Sequence, residues 1–495
     1  MDAATKRTKP SNAAAARKQA QPAARKQAQP AARKQAQPDR TFLSADERRA
    51  KGRALRDIVP RVSHGGWKAP KTRRDPLDII SASNEGRMPE LVPIRFGRML
   101  ASPFAFYRGG AAIMAADLAG TPTSGLTTQA CGDAHLMNFG GFATPERNII
   151  FDISDLDETL PAPFEWDLKR LAASVVIAAQ HLQFAGSDAA RLAVDVVREY
   201  RERMDDYSSM RALEVWYDRI DLQRYEARAA DPAVVKSARK RLAERIEAER
   251  RNTVPDHLFP KLTTQDGSAP RIKENPPLIF HPTKELAPGL TSGYREVIAG
   301  YRQTLPEHTR TLFDRFHFVD LAMKVVGVGS VGTQCLIALF MAADDDPLFL
   351  QVKEARASVL EPYAGRSAHA NHGQRVIAGQ RLMQAATDIF LGWTRGSNGR
   401  DYYVRQLRDM KMSAIMEDWD VATLRQYGRM CAHALARAHA RSGDAATMSG
   451  YMGSSQAFDE AVGEFGVEYA DQNRADYRAF VRAAKDKRIE VLVDA

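Results

Sequence analysis

Residues 321–355 contain three short apolar runs that are typical of β-strands, in the sequence LAMKVVGVGSVGTQCLIALFMAADDDPLFLQVKEA. A glycine-rich turn separates the first run from the second, and the acidic sequence DDDP joins the second to the third as in a hairpin. Another strand-like segment, DYYVRQLRD, follows at 401–409. Elsewhere the apolar residues recur mostly at helical spacing, as at 164–183 and 372–387. The pattern therefore predicts an α+β protein.

The same pattern divides the chain into four parts. Residues 1–40 form a basic tail, residues 41–320 are mostly helical, residues 321–415 are β-rich, and residues 416–495 are again helical. The tail repeats AARKQAQP three times and contains no aromatic residue. Such a composition buries too little apolar surface to offset the loss of chain entropy on folding, so the tail is predicted to be disordered. Residues 252–290 are rich in proline and are predicted to form a long loop.

The basic net charge comes mostly from the tail. Of the formal charge of +10, residues 1–40 contribute +8, which leaves +2 for the remaining 455 residues. A nucleic-acid-binding face on the folded part therefore has no support from charge, and only weak contact of the tail with nucleic acid is compatible with the sequence.

Cysteine usage and apolar run length limit the class of protein. The chain has three cysteines without CxxC spacing, which is usual in a reducing compartment. The longest apolar runs have nine residues, whereas a membrane span needs about 18. We therefore expect a cytoplasmic protein without a membrane span. The sequence does not predict the oligomeric state.

A first group of polar residues has the spacing that phosphoryl transfer requires. Asp133 and Asn138 share the loop GDAHLMN, and Asp152 follows at the end of the strand-like run IIFDI. One carboxylate would accept the proton of the attacking hydroxyl, while a second carboxylate and an amide oxygen would hold Mg²⁺, a cation that prefers oxygen ligands. Asp155 and Asp157 are further carboxylates of the same turn, and either could bind the metal. An ordinary polar turn would contain the same residue types.

At these residues the sequence resembles the aminoglycoside phosphotransferases and choline kinases. The resemblance lies in D-x-H-x-x-N followed by an I-x-D strand, and in the helix-like EWDLKRL at 165–171. It implies a two-lobed protein kinase-like fold, with Asp133 as the catalytic carboxylate and Asn138 and Asp152 as Mg²⁺ ligands. One departure is Cys131, which stands where that group usually has a histidine.

A longer resemblance covers about residues 50 to 490. The segments FYRGG, CGDAHLMNFG, KVVGVGSVGT, FLQVKEA and ARAHARSGD together are similar to the bacterial DUF2252 family. This resemblance implies kinship and does not imply a reaction. Arg108 in FYRGG could reach a phosphate, although an arginine after aromatic residues more often packs and pairs.

The second group of candidate residues is the glycine-rich turn GVGSVGT with the following FLQVKEA. Gly327, Gly329 and Gly332 would let backbone amides approach phosphates. In a dinucleotide-binding fold a helix should begin within this motif. In a kinase-like small lobe a strand, a hairpin and a second strand bearing Lys353 should follow, with the lysine holding the α- and β-phosphates. The apolar run 335–341 favours the kinase-like interpretation, although an edge-strand lysine is also common.

The kinase-like interpretation leads to three further expectations. The lysine needs an acidic partner, and residues 372–387 contain no Glu. Glu354 and Glu361 are the nearest candidates, with Gln380 as a neutral one, and we expect Glu361 to pair with Lys353. The strand at 401–409 would then contact the adenine through its backbone. The order of the motifs is inverted, since the glycine turn follows Asp133 by about 190 residues. We therefore expect a circular permutation, which is physically cheap where chain termini lie close together.

The sequence thus predicts an ATP- and Mg²⁺-dependent phosphotransferase that acts on a hydroxyl of a small molecule or protein. The same residues could support nucleotidyl transfer, because both reactions use a metal-bound triphosphate. Two alternatives of other classes remain: a nucleotide-binding pseudokinase that regulates a partner, and an NAD(P)-dependent oxidoreductase that uses the glycine motif.

Overall fold

The computed structural model describes residues 43–222, 244, 246–248, 254, 258–266, 269–282, 293–343, 346–407, 412 and 414–493. The predicted disordered tail lies outside these residues. None of the helices that the structure describes is long and apolar enough to cross a membrane.

The helices of the described part carry labels in chain order. They are α1 Ala45–Ile58, α2 Pro76–Ser83, α3 Val92–Leu100, α4 Pro103–Gly109, α5 Ala111–Leu118, α6 Phe164–His181, α7 Gly186–Ser209, α8 Ala212–Tyr217, α9 Phe259–Leu262, α10 Tyr294–Thr304, α11 Glu307–Phe313, α12 Glu361–Ala364, α13 His372–Met383, α14 Val421–Ser442, α15 Ala445–Met452 and α16 Ala457–Lys485. Several begin at a side chain that accepts a backbone N–H of the first turn, such as Ser44 before α1, Asn371 before α13 and Asp420 before α14.

The strands carry labels in the same way. They are β1 Thr127–Ala130, β2 Phe139–Ala143, β3 Ile149–Ile153, β4 Leu160–Pro163, β5 Ile220–Asp221, β6 Thr263–Asp266, β7 Ala269–Ile272, β8 Ile279–Phe280, β9 His317–Lys324, β10 Cys335–Met341, β11 Pro347–Ala355, β12 Gly392–Arg395 and β13 Asp401–Gln406. The predicted loop at 252–290 therefore contains short strands. Pro270 is tolerated in β7 because the β6–β7 sheet has two strands, and an edge strand can lack an N–H donor.

The largest sheet of the described residues has six antiparallel strands in the order β12-β13-β11-β10-β9-β8. Residues that pair across antiparallel strands lie on the same face. Lys353 pairs with Cys335, Gln351 with Ile337, and Phe349 with Leu339, so these side chains share one face. This surface is called the lysine face below.

The two faces of this sheet are covered by different parts of the chain. On the face opposite the lysine, Tyr301 of α10 and Phe313 of α11 pack against Phe340 and Leu350. On the lysine face, Phe349 and its neighbours form an apolar cluster with side chains from residues 254–272. The described residues of 254–272 are called the cover segment below.

The helices pack around α6, in which every residue from Phe164 to Ala179 is buried. Its apolar side chains join those of α7, α14 and α16 in the largest hydrophobic cluster of the described residues. The six-stranded sheet and this helical body together confirm the α+β class. The kinase-like and permuted arrangements stay predictions at this point.

Candidate functional site

Two short antiparallel pairings bring the first group of predicted residues together. Strand β1 leads into the loop 131–138, β4 leads away from the turn 154–159, and the two strands pair with each other. Strands β2 and β3 connect the same loop and turn from the other side, with Phe139 opposite Ile153. The loop and the turn, called the Asp133 loop and the acidic turn below, therefore lie side by side.

The backbone of the Asp133 loop is held from beneath by α6. The Asp167 carboxylate accepts the backbone N–H of Cys131 at 2.6 Å and that of Gly132 at 2.9 Å. Gly132 has a φ of +81°, and a Cβ there would lie 2.5 Å from the Glu158 carbonyl oxygen, so only glycine fits. The His439 Nε2 donates to Asp167 Oδ2 at 3.1 Å. Cys131 in place of histidine therefore leaves the loop fully supported.

The region between the Asp133 loop, the acidic turn and Lys353 is called the cleft below. Asp133 has 17% of its side chain exposed. Its Oδ1 accepts the Nε–H of Arg170 at 2.6 Å, and the Arg170 guanidinium lies over the Tyr107 ring at 4.5 Å. Burial raises the pKa of Asp133, and the Arg170 charge opposes that rise. Arg170 therefore fixes the Asp133 carboxylate through Oδ1, and a carboxylate held in this way can act as a general base.

Asn138 ties the loop to the acidic turn. Its Nδ2 donates to the Asp133 carbonyl oxygen at 2.8 Å, and its own carbonyl oxygen accepts the Ser154 N–H at 2.7 Å. Because the amide nitrogen is engaged, Oδ1 is the side-chain atom of Asn138 that is left to accept a further contact. An amide oxygen in this position can serve as a ligand for a hard cation.

The acidic turn meets Lys353 of strand β11. The Lys353 Nζ lies 2.7 Å from Asp157 Oδ2 and 3.7 Å from Asp155 Oδ2, and the Tyr403 hydroxyl donates to Asp157 Oδ1 at 2.6 Å. The two carboxylates raise the pKa of Lys353 well above its ordinary value, and this effect outweighs the opposing effect of burial. The amine is therefore a permanent cation beside two partly exposed carboxylates.

Asp152 does not belong to this cluster. It is fully buried, and both its carboxylate oxygens accept from Arg437 Nη2 of α14, at 2.7 and 2.8 Å. It also accepts the backbone N–H of Ala385 at 2.8 Å. Asp152 precedes the end of β3, so its side chain turns into the helical body, whereas Asp155 follows the strand and turns into the cleft. This placement argues against the prediction that Asp152 is the metal ligand, because its carboxylate is buried and paired with Arg437, and the role of Asp155 as a metal ligand stays a prediction.

Glu361 does not reach Lys353 either. It begins the short helix α12, and its Oε1 lies 3.7 Å from His372 Nδ1. The expected pairing of Glu361 with Lys353 is therefore wrong, because the acidic turn already occupies the space around the lysine. Helix α13 instead presents Arg375, which donates to the carbonyl oxygens of Thr159 at 2.6 Å and Asp157 at 2.8 Å.

The glycine turn closes the site from the sheet side. A short 3-10 turn, Val328–Ser330, is followed by strand β10 and not by a helix. The dinucleotide-binding alternative requires a helix at this place, so the structure argues against it. Gly332 has a φ of +86°. Arg87 holds the turn, donating to the carbonyl oxygens of Val331 at 2.6 Å and Gly329 at 2.9 Å. The Ser330 hydroxyl lies 3.4 Å from Asp157 Oδ2, so the two distant motifs meet.

Three arginines around the site carry no signal in the sequence beyond their residue type. Arg87 and Arg375 fix backbone carbonyls, as described above. Arg405 projects from β13 onto the lysine face, where its Nε donates to Gln351 Oε1 at 2.9 Å.

Arg108, at the end of α4, has a buried Nε without a hydrogen-bond partner. The charge of Asp133 raises the pKa of Arg108 against the larger lowering by burial.

The donors of the cleft suit a hard cation that is bound together with phosphate. No group of three or more His, Cys, Asp and Glu side chains in the described part of the chain is placed to hold a metal ion by itself. Asn138, Asp155 and Asp157 offer oxygen atoms only. Mg²⁺ in nucleotide-dependent enzymes is commonly held by one or two carboxylates together with phosphate oxygens and water, and the donors present meet that need.

Comparison with known proteins gives one match. Residues 87–483 match the family described as "Uncharacterized protein conserved in bacteria (DUF2252)". The chain belongs to the DUF2252 family. No curated protein and no solved structure gives a significant match. The DUF2252 match spans the Asp133 loop, the acidic turn, the glycine turn and Lys353, so the whole candidate site lies within the family region.

Proposed function

We propose that this DUF2252 protein is an ATP- and Mg²⁺-dependent phosphotransferase that acts on a hydroxyl group. The observation that carries the proposal is the meeting of Lys353 with Asp155 and Asp157 beside Asp133 and Asn138. These residues supply, in one cleft, the cation, the metal-binding oxygens and the base that phosphoryl transfer uses.

The order of the strands supports a kinase-like arrangement of this cleft. Along the chain, β9 is followed by the glycine turn, β10, β11 with Lys353, helix α13, β12 and β13. In the sheet, β11 lies between β10 and β13, and β12 lies at the edge beyond β13. The sequence predicted this succession of turn, hairpin, lysine strand and helix for a kinase-like small lobe. We further infer a circular permutation, since the Asp133 loop precedes these elements in the chain.

Each residue has a distinct role in the proposed reaction. Asp133 accepts the proton of the acceptor hydroxyl as its oxygen attacks the γ-phosphorus, and the bond from that phosphorus to the β,γ-bridging oxygen breaks to release ADP. Mg²⁺, when bound, neutralises charge on the phosphate oxygens. Asn138 and Asp155 would hold it, with Asp157 as a further ligand. Lys353 and the amides of Gly327, Gly329 and Gly332 hold the phosphates.

Nucleotide binding tests the proposal directly. We expect the full chain to be stabilised against heat by ATP with Mg²⁺ and not by ATP with EDTA, because ligands that bind only the folded state raise its stability. In Asp155→Asn the stabilisation should fall to the level of the EDTA sample. Asp471→Asn, at a side chain that is 67% exposed and remote from the cleft, is the matched control and should behave as wild type. Equal stabilisation with and without Mg²⁺ would contradict the proposed metal role.

A second candidate function is a nucleotide-binding regulator without turnover. It is favoured by one observation, namely that the partners of Lys353 are the acidic turn itself, while α13 presents Arg375 in place of an acidic residue. Measurement of ADP release separates the two functions. Release of ADP that requires Asp133 supports the phosphotransferase, and Mg²⁺-dependent ATP binding without any ADP release supports the regulator.

A further inference from the structure

Side chains of the described residues occupy most of the lysine face, and a second cavity adjoins this face beside Arg405. At its inner end Lys353 and Tyr403 are bound to Asp157. In the middle, Arg405 donates to Gln351, and the Gln351 amide donates to Cys335 Sγ at 3.4 Å. Both Gln351 and Cys335 are buried.

The outer end of the lysine face is covered by the chain itself. The side chains of Leu262 and Ile272 in the cover segment form one buried cluster with Ile337, Leu339 and Phe349 of the sheet. The Phe259 ring packs against this cluster, with its centroid 6.4 Å from that of Phe349. The backbone N–H of Ile272 donates to Asp320 Oδ2 of strand β9 at 2.7 Å, which fixes the segment on the sheet. A base could lie here only if these contacts were broken.

A cavity of about 270 Å³ lies against the glycine turn, where Gly329, Ser330 and Thr333 line it. Its lining includes Ser330 of the glycine turn and Asp157 of the acidic turn, and Ile79, Ala357, Tyr363 and Val376 contribute apolar surface. Charged residues also line it, namely Arg74, Arg87, Glu158, Glu354 and Arg356. Its volume is just below the roughly 300–1,000 Å³ of pockets for drug-sized ligands, so it has room for a nucleobase. It is called the glycine-turn cavity below.

We propose that the base of the nucleotide lies in the glycine-turn cavity, with the triphosphate leading from it past Asp157 into the cleft. This inference rests on the proposed function, because it concerns the position of the same nucleotide. It replaces the expectation that strand β13 contacts the adenine. Tyr363, which is 38% exposed at the rim, offers its ring for stacking on the base.

The experiment compares ATP with inorganic tripolyphosphate, which has the phosphates but no base. Dissociation constants of both are measured by calorimetry with Mg²⁺ on the full chain. Ala357→Trp places an indole in the cavity from an exposed position, and Tyr363→Ala removes the stacking ring. We expect each substitution to weaken ATP binding by about tenfold or more and to leave tripolyphosphate binding unchanged.

A second cavity provides the matched control. It also has a volume of about 270 Å³, is lined by Phe142, Arg147 and Ile389 among others, adjoins the lysine face at Arg405, and does not touch the glycine turn. Ile389 is 39% exposed, so Ile389→Trp adds an indole of the same size to a cavity of the same volume. We expect this variant to bind both ligands as wild type does, which also tests whether the base lies beside Arg405.

Three outcomes would overturn the inference. The base lies elsewhere if Ala357→Trp keeps wild-type affinity for ATP, or if it weakens ATP and tripolyphosphate equally. The base lies against the sheet if Phe259→Ala, which loosens the cover segment, tightens ATP binding without tightening tripolyphosphate binding. Failure of the wild-type protein to bind either ligand would instead contradict the proposed function itself, and the inference would fall with it.

Discussion

Ion pairs of the helical body and of the cleft beside the sheet differ in how much of their carboxylates is exposed. In the helical body, Arg437 and Asp152 have side-chain exposures of 1% and 0%, and each oxygen of the carboxylate is engaged. In the cleft, Lys353 is 3% exposed, but Asp155 and Asp157 are 33% and 27% exposed. A fully buried ion pair contributes only to the fold, whereas partly exposed carboxylates such as Asp155 and Asp157 remain accessible to a ligand. The comparison separates two acidic residues that lie only three positions apart, Asp152 and Asp155.

The largest expected effect is on catalysis in the cleft. Asp133→Asn removes the proposed base, and we expect kcat for ADP release to fall by about 10²- to 10⁴-fold. The same change also lowers stability, because Arg170 is 2% exposed and loses its partner. Activity is therefore measured at a temperature where circular dichroism reports a fully folded variant. An effect of less than threefold on kcat in the folded variant would remove Asp133 from the mechanism.

The second prediction tests the difference between the buried pair of the helical body and the partly exposed carboxylates of the cleft. We expect Asp152→Asn to lower the free energy of unfolding by about 3–5 kcal/mol, because it leaves the Arg437 cation buried without a counter-charge. Asp155→Asn should lower it by less than about 1 kcal/mol, since exposed pairs contribute little. Urea denaturation measures both variants. A stable Asp152→Asn protein that no longer responds to Mg²⁺ would restore Asp152 as the metal ligand.

A smaller effect concerns a buried group of the helical body that has no counter-charge. His64 is 1% exposed, its Nε2 lies 2.6 Å from the Tyr451 hydroxyl, and burial lowers its pKa from 6.5 to about 3. Below pH 6.5 the unfolded chain binds a proton that the folded chain does not, so stability falls as the pH falls towards 3.

The expected size of this loss follows from the shift. Between pH 7 and pH 5, His64 should cost about 2 kcal/mol of unfolding free energy, at about 1.4 kcal/mol per pH unit below 6.5. Urea denaturation at the two pH values measures it. His64→Gln should show a pH dependence that is weaker by the same amount, and an unchanged pH dependence would mean that His64 is not the responsible group.

The smallest expected effect concerns Arg108, whose charge acts on Asp133. Arg108 is close enough to Asp133 for their charges to interact, and its helix α4 packs against the glycine turn. We expect Arg108→Gln to lower kcat/KM by about tenfold through loss of one phosphate contact, with Arg108→Lys retaining most activity. Since the Arg108 charge itself lowers the pKa of Asp133, the acid limb of the pH–rate profile should move to higher pH in Arg108→Gln. A purely packing role would leave that limb in place.

The sequence predicted those features that depend on residues close together in the chain. The strand after the glycine turn and the lysine on β11 follow from apolar runs and a hairpin within 35 residues, and the structure has both. Asn138 and Asp133 share one loop, so their spacing fixes their proximity. Asp152 and Asp155 look alike in sequence, and the partner that marks Asp152 as the inward residue, Arg437, lies 285 residues away. The roles of Arg87 and Arg375 could not be predicted because their partners are backbone carbonyls.

The separation of these contacts along the chain also bears on how the protein folds. Lys353 and Asp157 are 196 residues apart, and Arg437 and Asp152 are 285 residues apart. Contacts of such length close late, because the entropy of closing the loop must be lost before the contact forms. During synthesis the Asp133 loop emerges long before Lys353, and the partner that draws Asp152 inward emerges later still. The cleft therefore assembles only after Lys353 has been synthesised, and until then a ribosome-bound intermediate has the acidic turn without its cation.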